Sequence, residues 1–579
     1  VGHLVDLGSW GFRALSFFPF STAVGLLAFA LVLMFWDYAF LFPRHLLRVA
    51  LGRSRSAHCR GQVPSGLVVV PTLLRNRDEL TALQATLESV WSNGYPNDLV
   101  IVASIDGTDA APALFAELAR WAEEQRLPAR TWLHVTGTRV RRGKPLAIDH
   151  AVEHVKALVA AGVHPTFPRI YFSTDADADL GERALERIAQ RLCRRHPITG
   201  SPARAVAGNL YIRGNNFWRG WRHFFTVEGQ LSIQIAREYL VTNLGRYNIR
   251  PFPLSGLTGV LYCTWTDIFL EIPRFMGYMR TLTIRDWLKW WIGIAPPSFA
   301  ASTAPPLPEL IAGDTDDTVS AFVATIARWE RGRFTLEVPR TPLHALYFML
   351  RTWLVDRPLA YEPEARVYTS SPITIRSLFK QRVRWNTARI EVMGRFWPSL
   401  WFHWGLGAAA VGVVMLILKY CFFGIVYYWR APAAIVNGSW PLVAALGYGI
   451  QLVVYAAWTL MCLVMNGQRR HFLLLLALPL APLYSTVFSL FATLYGAIRD
   501  IFLFGNVTGF APEATLIAGG SSRIALAYRL RRALALLWRS VRRGDVPLGL
   551  FWFGWSETPW TPNGYAGWTT AKQTRKRSR

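Results

Sequence analysis

Apolar and polar positions fall into three regimes along this chain. Residues 17–42 form an apolar run with a single acid, Asp37, near its end, long enough to span a bilayer. From Ser65 the runs shorten and begin to alternate. Residues 67–70 read as a buried strand ending at Pro71, and a helix pattern follows over 78–91. Residues 99–103 read as a second strand, running into Ser104-Ile105-Asp106-Gly107, with a helix over 111–125. Residues 132–135 and 170–172 read as two further strands, the last running into Ser173-Thr174-Asp175-Ala176-Asp177. Strands alternating with helices predict a mostly parallel sheet. Such sheets bind ligands beyond the carboxyl ends of their strands, where Asp106, Asp175 and Asp177 stand.

The third regime begins after Trp385. Residues 404–429 and 440–466 each read as a span, joined by a short connection containing Asn437-Gly438-Ser439. Residues 471–504 are again mostly apolar, interrupted by Pro479 and Pro482. Arginines flank this last run on both sides, which favours a hairpin over a single crossing. Residues 287–308 carry Trp287, Trp290 and Trp291 and then a loop rich in Pro, Ala and Ser; an interface-lying segment and an insertion both fit.

Composition sharpens this picture. A chain of 579 residues exceeds one compact core. A hydrophobic content of 52% is high for a soluble enzyme, and the residues are clumped, as membrane spans require. The net charge of +26 could suggest nucleic acid. The arginines crowd beside apolar runs instead, as Arg44, Arg48, Arg53, Arg55 and Arg60 do after the first. That arrangement follows the positive-inside rule and places the next domain in the cytoplasm. No nucleic-acid-binding motif is present, and no cleavable leader is expected. Cys59, Cys193, Cys263, Cys421 and Cys462 show neither metal nor redox spacing, so they read as reduced and structural.

Asp175 and Asp177, two residues apart at a strand end, suit a hard divalent cation that keeps its other positions for phosphate oxygens and water. A surface acid pair gives the same triplet; Asp179 reads as a solvent-facing spare. Asp106 can hold a nucleoside or merely form an Asp-Gly turn. Lys144 can face a phosphate or be solvated at a helix start. Thr315-Asp316-Asp317 precedes a helix pattern over 319–329, so it can cap that helix or supply the base that deprotonates an acceptor hydroxyl. In Gln381-Arg382-Val383-Arg384-Trp385, the first, fourth and fifth residues share one helix face. An amide, a fixed cation and an aromatic plane suit a sugar diphosphate and a sugar ring. An interfacial helix with snorkelling arginines is the alternative.

The order of these motifs, followed by spans, resembles the processive family 2 glycosyltransferases, among them hyaluronan, chitin, cellulose, curdlan and alginate polymerases. The match covers about residues 67–385 plus the membrane layout. The segment from Pro71-Thr72 to Glu79 resembles that family's first nucleotide-binding turn, although Arg75-Asn76-Arg77-Asp78-Glu79 is longer. Leu254-Ser255-Gly256 resembles its acceptor site, and Tyr361-Glu362-Pro363-Glu364-Ala365 with Pro372 its lead into the pentad helix. The resemblance implies an α/β GT-A domain with a mixed, mostly parallel sheet, fused to transmembrane and interfacial helices. It implies donor contacts from Thr72, Glu79, Asp106 and Lys144, and Mg²⁺ or Mn²⁺ with the diphosphate on Asp175 and Asp177. It further implies Asp317 as base, with Asp316 as rival, and Ser255, Gly256, Gln381, Arg384 and Trp385 at the acceptor. The donor would be a UDP-sugar, with a GDP-sugar as alternative. Two segments resemble gating elements: Phe504 to Thr508, which lacks the expected lysine, and Trp568-Thr569-Thr570-Ala571-Lys572, the favoured one.

The expected layout is an N-terminal span with basic flank (1–60), a cytoplasmic catalytic domain (61–395), a channel region (396–504) and a basic amphipathic tail (505–579). The expected activity is polymerisation of a β-linked polysaccharide and its export across the plasma (inner) membrane, alone or with accessory secretion subunits. The rival is transfer of one sugar to a membrane lipid; a second is a catalytically inert export subunit, against which the intact acid set argues.

Overall fold

The computed structural model describes residues 63–139, 144–195, 199–212, 218–247, 259–303, 316–330, 332–351, 358–372, 374–383, 397–403, 440–466 and 469–492, with isolated residues between these and in 534–548. Its centre is an eight-stranded sheet. In chain order the strands are β1 (Gly66–Thr72), β2 (Leu99–Asp106), β3 (Thr131–Thr138), β4 (Ile170–Thr174), β5 (Asp179–Leu180), β6 (Ala205–Ile212) and β7 (Leu261–Trp265). The short β8 (Arg328–Glu330) and β9 (Arg333–Thr335) pair separately, and β10 (Leu359–Thr369) returns to the main sheet. The order across it is β3-β2-β1-β4-β7-β6-β10-β5. β1 runs parallel to β2 and β4, and β6 to β10, while β7 is antiparallel to both its neighbours. The result is a mixed, mostly parallel sheet with flanking helices, an α/β arrangement.

The apolar runs explain the centre. Val68, Val69, Val70, Ile101 and Val102 are fully or almost fully buried, as expected of strands covered on both faces. Helices Arg77–Trp91, Pro112–Glu123 and Lys144–Ala160 supply the crossovers. The strands and helices expected between 67 and 172 are all present, longer at most ends. β6, β7 and β10 were not expected. Their inward residues are interleaved with Asn209, Thr264 and Glu362, whose buried polar groups break the hydrophobic pattern. The helix expected over 319–329 runs instead from Asp316 to Ile326, and Trp329 packs in the β8–β9 hairpin beside Phe334, at 4.8 Å between ring centroids.

The edge strand β3 carries a histidine cluster. Nε2 of His134 and Nε2 of His164 lie 3.0 Å apart, and the His154 ring stands 5.6 Å from that of His134. Burial and then the two neighbouring imidazoles push His134 down to about 4; burial also lowers His154 and His164. Protonation therefore favours the unfolded chain. The cluster's contribution is complete above the unfolded value of about 6.5 and is lost as pH falls towards 4. Chemical-denaturation midpoints should drop between pH 7 and 4.5, and His134→Gln should flatten the drop; an unchanged slope in that variant would remove His134 from the titration.

Among residues whose side chains are placed, no helix is long and apolar enough to cross a membrane. Residues 440–466 do form one helix, as expected for the second of the paired runs. The runs at 17–42 and 404–429 lie outside the described residues. The 471–504 run is not one regular helix: it is 3₁₀ over Arg469–Leu480, α over Ala481–Ser485 and π over Thr486–Phe491. Pro479 and Pro482 remove the amides a continuous α-helix would use. The 3₁₀ segment packs on helix Val227–Tyr247, where Gln234 Nε2 donates to the Ala477 carbonyl.

Candidate active site

The carboxyl ends of β1, β2 and β4 lie side by side in register. At β2, Asp106 is buried and accepts a long hydrogen bond from Thr138 Oγ1 at 3.4 Å. The backbone behind it is tightly drawn. Gly107 adopts φ 89°, and a Cβ on Gly137 would meet the Ile105 carbonyl at 2.7 Å. Asp106 is thus the last residue of β2, paired with Thr138 of β3, and the Asp-Gly turn follows it directly.

At β4, Asp175 and Asp177 follow Thr174 as expected. Lys144, first residue of its helix, puts Nζ 3.0 Å from Asp175 Oδ1. Its side chain is largely buried, which rules out a freely solvated lysine. Asp177 Oδ2 accepts from Ser370 Oγ at 2.8 Å and from Thr369 Oγ1 at 3.3 Å. Both hydroxyls sit at the end of β10, so the sheet's far side fixes the second carboxylate. Thr86 Oγ1 donates to the intervening Ala176 carbonyl at 2.8 Å. Asp179 is exposed in β5, as expected.

Glu79, an expected donor contact, is held within the turn that follows β1. Its carboxylate accepts from Arg75 N at 2.7 Å and Arg75 Nε at 2.8 Å, while Asn76 Oδ1 caps the helix by accepting from Glu79 N at 2.9 Å. The extra residues of this turn thus form a clasp at the end of β1. Thr72, the last residue of β1, is half-buried.

Residues 375–383 are helical, as is Trp385. Oε1 of Gln381 is buried and has no hydrogen-bond partner among the described residues. Such a group calls for a further partner. Arg382, the residue between the motif positions, is buried, and its Nη2 lies 2.7 Å from Glu238 Oε2. Tyr484 Oη donates to the same carboxylate oxygen at 2.7 Å. The Arg382 guanidinium also covers one face of the Trp385 ring, 4.4 Å from its centroid. Burial works against the Arg382 charge, yet Glu238, Tyr484 and Tyr239 together outweigh it and hold its pKa above the ordinary value. Tyr239 is pushed up to about 12, first by burial; Glu238, Asp177 and Asp175 act in the same direction against Arg382.

Glu238, Tyr239, Thr369, Ser370 and Tyr484 were not singled out from the sequence. They belong to no motif and are brought together from three distant segments. Asp316 and Asp317 do open a helix, which packs on β6, β7 and β10. The side chains of Asp316 and Asp317 lie outside the described residues, as do Ser255, Gly256 and Arg384 and the gating candidates 504–508 and 568–572. Among the described residues, Cys193, Cys263 and Cys462 form no disulfide.

The buried pair yields a stability prediction. Glu238→Ala leaves the Arg382 guanidinium buried without its carboxylate, and breaking such a pair costs about 3 kcal/mol. Thermal unfolding should show a clear fall in the transition temperature for Glu238→Ala and a smaller one for the double variant Glu238→Ala/Arg382→Met. If the double variant is no better than the single one, the pair is not the source of the loss.

The two strand-end carboxylates suit a small divalent cation, which binds through one or two carboxylates and completes its shell with phosphate oxygens and water. No group of three or more metal-ligating side chains occurs among the described residues. Asp175 is partly exposed and Asp177 is already oriented by two hydroxyls, so this pair fits a cation carried in with a diphosphate.

No protein-family model matches the chain, and no curated protein does. Among solved structures the chain is similar to the crystal structure of M. tuberculosis glucosyl-3-phosphoglycerate synthase, at 13% identity and a TM-score of 0.23, over 57% of this chain and 79% of that one. At that TM-score neither fold nor function carries over.

Proposed function

We propose that this chain is a metal-dependent, inverting glycosyltransferase that extends a β-linked polysaccharide from a nucleotide sugar and passes the product across a membrane. One observation carries the reading. Asp106 ends β2, Asp175 and Asp177 follow β4 on the other side of β1, Lys144 reaches Asp175 from the start of its helix, and Asp177 is fixed from the end of β10. Asp106 would hold the nucleoside, and Lys144 would turn from Asp175 to the donor phosphates as they arrive. Asp175 and Asp177 would hold Mg²⁺ or Mn²⁺, which supplies charge neutralisation at the leaving diphosphate.

Inversion requires an acceptor hydroxyl to attack the anomeric carbon from the side opposite the diphosphate while a base takes its proton. Asp317, at the start of its helix, is the proposed base. Trp385 has one face covered by Arg382, so an acceptor sugar would stack on the other. The apolar runs and their arginine flanks support an integral membrane protein with a cytoplasmic catalytic domain. Incubating the purified chain with UDP- and GDP-sugars and Mg²⁺ or Mn²⁺ tests the reaction class. Metal-dependent nucleotide release with one donor is expected; no release with any donor would leave the inert-subunit alternative.

A further inference from the structure

We propose that helix Ile284–Trp291 and the helical tail around residues 534–542 together form a docking face for an anionic lipid surface, separate from the candidate spans. Helix Ile284–Trp291 is anchored on its inner side. Trp290 is fully buried, with Nε1 donating to the Pro339 carbonyl at 2.7 Å, and Trp287 packs against Trp401 at 4.6 Å between ring centroids. Thr283 and Asp286 close a capping box at its start. The outer side is apolar and uncovered: Ile284, Leu288 (55% exposed), Trp291 (50%) and Ile292 (76%) fall at i, i+4, i+7 and i+8, one stripe of a helix. A buried anchor beneath an exposed apolar stripe means that the stripe is held outward.

The tail repeats the pattern. Leu534, Leu537, Trp538 (60%) and Val541 (56%) are exposed at i, i+3, i+4 and i+7. Two backbone hydrogen bonds tie the segments together: Ile284 N donates to Val546 O at 2.8 Å, and Leu548 N donates to Leu282 O at 3.0 Å. Exposed apolar stripes on two linked helices exceed the scattered apolar residues of an ordinary surface.

Charge selects the occupant. Arg285 and Lys289 border the first stripe, and Asp286 is engaged in the capping box. Residues 523–543 contain seven arginines and no acid, and Arg542 stacks over Trp538 with Cζ 4.9 Å from the ring centroid. Two copies of so cationic a face would repel each other. Apolar stripes with tryptophan at the edge and basic residues beside them match the interface of a bilayer carrying negative headgroups.

The inference rests on the membrane association in the function proposed above but needs no catalysis. Benzoylphenylalanine is introduced singly at Leu288, Trp291 or Trp538, and as a control at the exposed Glu123, in the full chain reconstituted into nanodiscs. The discs are phosphatidylcholine alone or with phosphatidylglycerol, and adducts are read by intact mass after irradiation. Phospholipid adducts at the three test positions and not at 123 are expected, rising about fivefold in the anionic discs. Absence of lipid adducts, or chain-to-chain adducts in their place, would overturn the docking face. Equal adducts in neutral and anionic discs would overturn its preference for negative headgroups. Nucleotide release is measured in the same samples, so that lipid adducts without turnover count against the proposed reaction and not against this face.

Discussion

Replacing Asp177 by Asn is expected to abolish sugar transfer, by at least about 10³-fold, or about 4 kcal/mol of transition-state stabilisation. The amide keeps the shape of the carboxylate but loses half of the charge offered to the cation. One oxygen of Asp177 is already committed to Ser370 and Thr369, so the variant side chain should stay in place. Folding should therefore survive, with an unfolding transition within about 0.5 kcal/mol of the parent. Metal-dependent nucleotide binding should weaken alongside turnover. Titration of nucleotide with and without Mn²⁺ separates the two effects. Normal turnover in Asp177→Asn would remove the cation site from the scheme.

The second large effect concerns Thr315-Asp316-Asp317. Loss of a general base typically costs about 10²–10⁴-fold, whereas in the proposed scheme donor binding rests on strand ends remote in sequence. Asp317→Asn should therefore bind nucleotide sugar almost normally and make little or no polymer. Asp316 is the first residue of helix Asp316–Ile326, where a carboxylate favours the helix dipole. Asp316→Asn should cost about 0.3–1 kcal/mol in stability and leave most activity. The reverse pattern, a dead Asp316→Asn beside an active Asp317→Asn, would move the base by one residue. Two active variants would make the cluster a helix start and nothing more.

The strand-end acids were legible in the sequence because each follows a short apolar run: β2 into Asp106, and β4 into Asp175 and Asp177. Lys144 was legible as a candidate, though its contact with Asp175 was not. The first half of the sheet was legible for the same reason, since fully buried parallel strands leave continuous runs of Val and Ile. The second half was not. β7 runs antiparallel between β4 and β6, and no local pattern states direction or neighbour. Glu238 is the clearest loss. It sits in an ordinary helical stretch, Gln234-Ile235-Ala236-Arg237-Glu238-Tyr239, and acquires its role only when Arg382 and Tyr484 arrive from 144 and 246 residues away. The contact of Glu79 with Arg75 was likewise not legible, because it depends on how the longer turn folds. In the pentad, Arg382, which the shared face of Gln381, Arg384 and Trp385 leaves out, is buried and paired with Glu238.

Product length tests the central claim most directly. The full chain, reconstituted in nanodiscs with the donor that releases nucleotide and with Mg²⁺ or Mn²⁺, is sampled early in the reaction, when most donor remains. The product is sized by chromatography and digested with linkage-specific glycosidases. A processive synthase that holds its acceptor against Trp385 gives long, β-linked chains from the first time points, with few short ones. A single sugar on an organic-extractable lipid, or a ladder that lengthens one unit at a time in proportion to turnover, would contradict the account.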